Sequence, residues 1–437
     1  MVRRLRGALV LVGTVALALA LAACGNAKAA TQTTLSPTAD LPAHGASPGV
    51  TSNAIYVGTL ATTSGSLAPG FGEIVDGTQA YFDLINSQGG VNGRKIYIKY
   101  QENDGASTTN DETEARTLVE QDHVFAVVAV GTPFFTGSTF LAQSGTPTFG
   151  YVVTQDWNTY PNLFGAYGSY LDYTTEEPTS GFIASQVHAK SVAVLAYNFG
   201  PSSAPCADIA KGVTHYGFHL GFQDLNFGIG ASPTADVQKM KAAGVDLVFS
   251  CMEGTDNLAF SKAMHQFGMN THFVWLNGYS QSVIKANPTV MNGVLFGEQH
   301  VPFEAATQFP GDYPGLDLYL NTMKKYYPQY LYDDTAVQGW ICAEQFVAGL
   351  KAIGRNVAQN RLVDVINKET NYNAGGFTTP INWVTGHTSA PPPYCGAYVE
   401  DENGKTSVVF GKGHSVFECL GANGDQAIAN PPNTPGG

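Results

Sequence analysis

Basic side chains are scarce in this 437-residue chain: 22 Lys and Arg stand against 35 Asp and Glu, a formal net charge of −13. A surface of that sign repels phosphate backbones and anionic headgroups, so a nucleic-acid partner is excluded as an expectation. Charge of either sign is sparse, at 13% of residues, against 44% hydrophobic residues; large cores can therefore be buried. Long apolar runs are missing as well. The apolar stretch Ala8–Ala22 has 15 residues, short of the ~20 that span a bilayer. Cysteine is limited to six residues, none in CxxC spacing and none beside a histidine cluster, which argues against a zinc site. No metal and no cofactor is expected.

What is present at the N-terminus is a secretory layout. Arg3, Arg4 and Arg6 precede the apolar stretch, and Leu21-Ala22-Ala23 leads into Cys24. A basic region, a short apolar region and small residues before a cleavage point are the parts of a signal peptide, here residues 1–23. Its ending resembles the lipobox of bacterial lipoproteins, in which the cysteine is acylated and becomes the new N-terminus. That resemblance implies an exported protein held by a lipid anchor at Cys24 to the outer face of the cytoplasmic membrane, in the cell envelope. Without the three arginines the chain carries 19 basic against 35 acidic side chains, a net charge of −16.

Export permits disulfides. Of Cys206, Cys251, Cys342, Cys395 and Cys419, the preferred pairs are Cys206–Cys251 and Cys395–Cys419, although sequence alone leaves the connectivity open. The second pair would close a hairpin in which Ala397–Val399 and Ser407–Phe410 flank Asn403-Gly404, a dipeptide suited to a type I′ turn. Closing that loop would contribute on the order of 3 kcal/mol. Cys342 lies in the helical run Thr335–Ile353 and reads as a buried, inert thiol.

Residues 24–52 are rich in Ala, Thr, Ser, Pro and Gly and read as a flexible tether; the tail 421–437 has a similar composition. Between them strands and helices alternate. Ile55–Leu60, Lys95–Tyr100, Val124–Val130, Ser191–Ala196, Asp246–Phe249 and His272–Leu276 read as strands. Ile74, Thr78, Tyr81, Phe82 and Ile85 share one helical face, ended by Gly89-Gly90. Further helices are expected at Thr113–Gln121, Ala207–His215, Val237–Ala243 and Asn257–Phe267. Val124–Val130 is apolar throughout, as strands buried in parallel sheets are. About 370 residues exceed one hydrophobic core, so two doubly wound α/β lobes are expected. Ligands of such sheets sit beyond the carboxyl ends of the strands.

The run Val57-Gly58-Thr59-Leu60, then Ser64-Gly65-Ser66-Leu67-Ala68, Gly72 and Gly77, followed by Asn86-Ser87-Gln88-Gly89-Gly90-Val91-Asn92-Gly93-Arg94-Lys95-Ile96, resembles the Leu/Ile/Val-binding protein family. These are solute receptors of branched-chain amino-acid-type ABC importers. Asn103-Asp104, Leu118-Val119 and Gly145-Thr146-Pro147 fit the same spacing, and the likeness extends over about residues 53–420. It implies two parallel-sheet lobes joined by three crossover segments, closing like a hinge on a small solute without chemistry on it. The lobes would be 53–168 with 300–374, and 169–299 with 375–420. The implied partners are a small-molecule solute, amino-acid-like or a related amide or aromatic compound, and an ABC permease in the membrane; the receptor is expected as a monomer and not an enzyme. A ligand sensor on the same fold is the alternative, an exported hydrolase a weaker one.

The resemblance places the solute site on the strand-end loops: Ser64 and Phe71 after the first strand, Gly131–Phe135 after Val124–Val130, and Thr154 after the next strand. In the family, hydroxyls and backbone N–H groups at the latter two places hold a ligand carboxylate. The usual serine is missing here; Thr132 is the nearest hydroxyl, beside Phe134 and Phe135. Second-lobe candidates are Tyr197–Ser203, including Ser202, with Glu253, Asn277 and Tyr279. The family's amino-acid binders carry an acidic residue where this chain has Asn277, and often tyrosine where it has Glu253. Either the carboxylate has moved to Glu253, or the ligand is not an α-amino acid. A cleft-facing Glu253 would favour a cationic or hydrogen-bond-donating group; the alternative is a solvent-facing Glu at a helix start. Phe71, Phe134, Phe135 and Tyr279 suit either an apolar pocket or ordinary core.

Other patterns carry no chemistry. Gly45-Ala46-Ser47-Pro48-Gly49 matches a nucleophile elbow but has no preceding strand. Gly70, Gly72 and Gly77 do not make a phosphate loop, because Val75 holds the third required position. Gly217 separates His215 from His219, which need not share a helix face. Asp333-Asp334 reads as a helix N-cap.

Overall fold

Continuous apolar strands, bounded by glycine-rich turns, build two sheets. The computed structural model describes residues 47–168, 178–387, 394–411 and 413–420, all within one unit, Leu41–Gly437. The signal peptide, Cys24 and the tail 421–437 lie outside the described residues.

The first sheet has the order β2-β1-β3-β4-β5, formed by β1 (Ala54–Ala61), β2 (Lys95–Asn103), β3 (Val127–Gly131), β4 (Thr148–Gly150) and β5 (Leu163–Gly165). All its pairings are parallel. β1 and β3 are buried along their whole length, whereas edge strand β2 alternates. That contrast follows from position, since only inner strands of a parallel sheet are covered on both faces.

The second sheet contains β6 (Ser191–Tyr197), β7 (His219–Phe227), β8 (Leu247–Ser250), β9 (His272–Trp275) and β10 (Val294–Glu298), all parallel. It continues into antiparallel β11 (Tyr394–Glu402), β12 (Lys405–Val409) and β13 (Phe417–Leu420). Asn403 and Gly404 adopt φ of 57° and 80°, which closes the β11–β12 hairpin. A two-residue turn can only connect antiparallel strands, so this edge departs from the otherwise parallel pattern.

The chain passes between the lobes three times: after Gly168, after Glu298 and after Trp383. The second passage touches the segment that leads to the third, through an antiparallel bridge between His300 and Thr378 and a bond from Val301 N to Phe377 O. Helices that follow β10 return to the first sheet. Chief among them is Asp334–Ile353, which packs on Ile74–Ser87. Gly77 and Gly339 allow this close crossing: a Cβ at residue 77 would lie 1.7 Å from Ala336 O, and one at 339 would lie 1.8 Å from Ile74 O. Thr78 Oγ1 donates across the seam to Gly339 O at 2.9 Å. The start of the long helix, Asp333-Asp334, is thereby fixed beside the strand-end loops.

The tether ends earlier than composition suggests. Val50 is buried and bridges Ile55, Tyr56 N donates to Gly49 O at 2.7 Å, and Ser47 Oγ donates to Val357 O at 3.1 Å. Residues 47–52 therefore belong to the first lobe, because their backbone groups pair with β1.

Both preferred disulfides are present, Cys206–Cys251 and Cys395–Cys419, and Cys342 is a buried free thiol. The second joins β11 to β13, where the two cysteines face each other in register, and not the two arms of the Asn403-Gly404 hairpin.

Candidate functional site

The carboxyl ends of both sheets point at one another, and three contacts bring the lobes together there. Tyr151, directly after β4, donates its hydroxyl to Asn277 Oδ1, after β9, at 2.5 Å. Phe134, after β3, meets Phe199, after β6, edge-on at 5.4 Å between ring centroids. Glu253, after β8, lays its carboxylate against Gly70, where a Cβ would lie 2.1 Å from Oε2. Glycine at 70 is what permits this approach.

The second-lobe half is braced by a compact network. Tyr197 Oη donates to Asp256 Oδ2 at 2.8 Å and accepts from Glu253 N at 3.3 Å. Its ring stacks on Phe199 at 5.3 Å. Ser202 Oγ donates to Cys251 O at 2.6 Å and accepts from Tyr197 N at 2.9 Å. The Cys206–Cys251 bond ties the same two loops covalently.

Glu253 stands at the N-cap of Gly254–Gln266 without capping it through its side chain. Among the described residues no hydrogen bond or ion pair reaches its carboxylate. Burial first, and the Asp334 carboxylate second, push its pKa up to about 8. Asp334 is itself raised to about 7 by burial and by Glu298, against bonds from the Gly278 and Thr335 backbone. Glu73, after Phe71, is also raised to about 7 by burial and Asp333. Behind the cleft, buried Glu298 lies 3.0 Å from His300 Nε2; burial raises the acid and lowers the imidazole.

The sequence candidates separate into those the structure brings to this interface and those it does not. Phe71 (against Tyr151 at 5.6 Å), Phe134, Tyr197, Glu253 and Asn277 are at the contact. Thr154 follows Tyr151 in the same loop, and its buried Oγ1 has no hydrogen-bond partner among the described residues. Thr132 is withdrawn: it is buried, and its hydroxyl donates to Asp104 Oδ2 at 2.5 Å. Ser202 serves the brace described above. Tyr279 is core, with its hydroxyl on Glu304 at 2.5 Å and its ring against Phe296 and Phe303. Phe135 stacks on Trp157 inside the first lobe. Ser64 is exposed and accepts from Asn103 Nδ2 at 2.8 Å. Tyr151 and Gly70 were not singled out from sequence; Tyr151 carried the same signal as the others, a position directly after an apolar strand.

A model of the periplasmic binding protein family matches residues 54–403. The chain belongs to that family. Its members are solute-binding proteins rather than enzymes, and they work outside the cytoplasm. Among solved structures, a fatty acid ABC transporter substrate-binding protein from Thermomonospora curvata is 17% identical, with a TM-score of 0.70 over 89% of this chain and 98% of that one. The branched-chain amino acid transporter substrate-binding protein LivJ from Streptococcus pneumoniae, in complex with isoleucine, is 17% identical with a TM-score of 0.67, covering 82% and 99%. An ABC transporter solute-binding protein from R. palustris, in complex with benzoate, is 15% identical with a TM-score of 0.68, covering 82% and 96%. A comparison with curated protein sequences gave no match. Two α/β lobes of the type I periplasmic-binding-protein fold are thus common to all of them, as the sequence resemblance implied. Among the described residues no helix is long and apolar enough to cross a membrane, and no group of three or more His, Cys, Asp or Glu could hold a metal ion.

Proposed function

We propose that this periplasmic binding protein captures a small organic solute between its lobes and delivers it to an ABC permease, while a lipid on Cys24 holds it at the outer face of the membrane. The observation that carries the proposal is the convergence of strand-end loops from both sheets on Glu253, Tyr151–Asn277 and Phe134–Phe199. Three passages between the lobes, the second bridged at His300–Thr378 to the segment leading to the third, supply a hinge about which closure can occur. Two of the solved relatives are ABC transporter solute-binding proteins and the third is the substrate-binding protein of an amino acid transporter, which favours import over sensing.

Thermal unfolding of the purified chain against a metabolite panel tests the binding step. A solute at a hundredfold excess over Kd stabilises the folded state by about 2.7 kcal/mol. No thermal shift with any compound, and no solute released on denaturation, would overturn the reading. For the anchor, mass spectrometry of the N-terminal peptide should find an acylated Cys24, and Cys24→Ser should release the protein from membranes.

A further inference from the structure

We infer that the solute is an organic monocation, an ammonium group on an aromatic or apolar body, with Glu253 as the residue that selects it. This inference rests on the solute-receptor reading above and gives it a substrate class.

Two chains of contacts run from Glu253 into the opposite lobe. On one side Glu253 N reaches the Tyr197 hydroxyl, Tyr197 stacks on Phe199, and Phe199 meets Phe134 of the opposite lobe. On the other side the carboxylate lies on Gly70, next to Phe71, whose ring faces Tyr151. Tyr151 returns to the second lobe through Asn277, and Asn257 Nδ2 ties Asn277 O to Met252 O, adjacent to Glu253. One carboxylate, without a hydrogen-bond partner among the described residues, is thus linked through these two chains to five aromatic rings drawn from both lobes.

The charges around it have one sign. Asp334 faces Glu253 from the start of the long helix, and Asp256 lies one turn along Glu253's own helix. Neither forms a salt bridge, and no lysine or arginine among the described residues is paired with these acids. A ligand carboxylate would enter against this field, and of the two hydroxyls expected at the anion position Thr132 is spent on Asp104, which leaves Thr154 Oγ1. An ammonium, by contrast, pairs with Glu253 and lies against ring faces that attract cations. The elevated proton affinity of Glu253 agrees with this: an incoming cation takes the place of the proton, so binding releases it.

A matched ligand series tests the charge requirement on the full chain: 2-phenylethylamine, 2-phenylethanol and 3-phenylpropionate, with choline as a fixed cation. Calorimetry should show the amine binding at least tenfold tighter than the alcohol or the acid. In buffers of different ionisation enthalpy at pH 7 it should also show proton release. Glu253→Gln should weaken amine binding tenfold or more and leave the alcohol within about twofold; Glu253→Asp should keep the preference for the amine. Preferred binding of the acid or alcohol, or amine binding indifferent to Glu253→Gln, would overturn the monocation class while leaving the receptor reading intact. If no member of the series binds, the solute released on denaturation decides: a cation supports the inference, and a neutral or anionic compound overturns it. If the series fails, no solute is released and the metabolite panel gives no thermal shift, the receptor reading is overturned and this inference with it.

Discussion

Tyr151 and Asn277, 126 residues apart in sequence, share a hydroxyl-to-amide hydrogen bond of 2.5 Å that joins the two lobes at the mouth of the cleft. It is formed only when the lobes meet, so its strength enters the closure equilibrium directly. Tyr151→Phe keeps the ring against Phe71 and removes only the hydroxyl. We expect closure to weaken by about 1 kcal/mol, which is roughly a fivefold loss of solute affinity with little change in melting temperature. Small-angle scattering of the variant should show a larger radius of gyration than the parent; identical profiles would assign the bond no part in closure.

Thr132 offers the opposite case, a hydroxyl expected at the ligand and found in the core. Thr62 and Thr132 donate to the two oxygens of buried Asp104 at 2.6 and 2.5 Å, and Ala106 N adds a third bond at 3.2 Å. Thr132→Val leaves a buried carboxylate short of one donor, which costs about 1.5–3 kcal/mol of stability. Solute affinity should stay within about twofold of the parent, and Thr132→Ser should recover most of the lost stability. Lost affinity at unchanged stability would instead return Thr132 to the binding site.

The difference between these two tyrosine and threonine positions shows what sequence could reveal. Strand positions were legible because buried parallel strands are apolar end to end: Val124–Val130 anticipates β3, and Ser191–Ala196 anticipates β6 within a residue. Asp333 was legible as a cap and accepts from Ala336 N at 2.9 Å. The helix Gly200–His215 begins seven residues before the expected Ala207: Pro201 sits in its first turn, where an N–H would have no intrahelical partner, whereas Pro205 lies inside the helix, where local patterning argues against one. The strand-end loops followed from topology, which is why Glu253 and Asn277, singled out from sequence, lie at the contact between the lobes. Which hydroxyl in a loop faces the cleft was not legible. That depends on partners far away in sequence, such as Asp104, 28 residues from Thr132, and local patterning does not encode them.

The Cys206–Cys251 bond lies within one residue of Met252-Glu253 and one turn from Ser202, so it acts on the binding half as well as on the lobe. Its 45-residue separation corresponds to about 4 kcal/mol of chain-entropy stabilisation. Replacing both cysteines by alanine should lower the melting temperature and, because the loop after β8 loses its tether to the neighbouring helix, weaken solute binding severalfold. The equivalent change at Cys395 and Cys419, on the β11–β13 edge, should lower stability and leave affinity unchanged. Equal effects of the two double variants on affinity would refute a local role for Cys206–Cys251.

The carboxyls near the cleft give the protein an unusual pH response. Glu253 is raised to about 8, and Glu73, Asp333 and Asp334 to about 7, with burial the largest cause in each. Unfolded carboxyls ionise near pH 4. Between those limits the folded protein holds more protons than the unfolded chain, so stability falls as pH rises, by at most about 1.4 kcal/mol per pH unit for each group. His300 and His387, lowered by burial, act in the opposite sense below their ordinary range. The fall is therefore cleanest between about pH 6.5 and 8, where those imidazoles are at most about half protonated in the unfolded chain and lose that charge as pH rises. Calorimetric unfolding should give a melting temperature a few degrees higher at pH 6.5 than at pH 8. Glu253→Gln, which cannot ionise, should flatten that slope and raise the melting temperature at pH 8 more than at pH 6.5. A parent whose stability rises over this interval would mean that these carboxyls are ionised in the folded state at pH 6.5, and that the cleft is far better solvated than its contacts indicate.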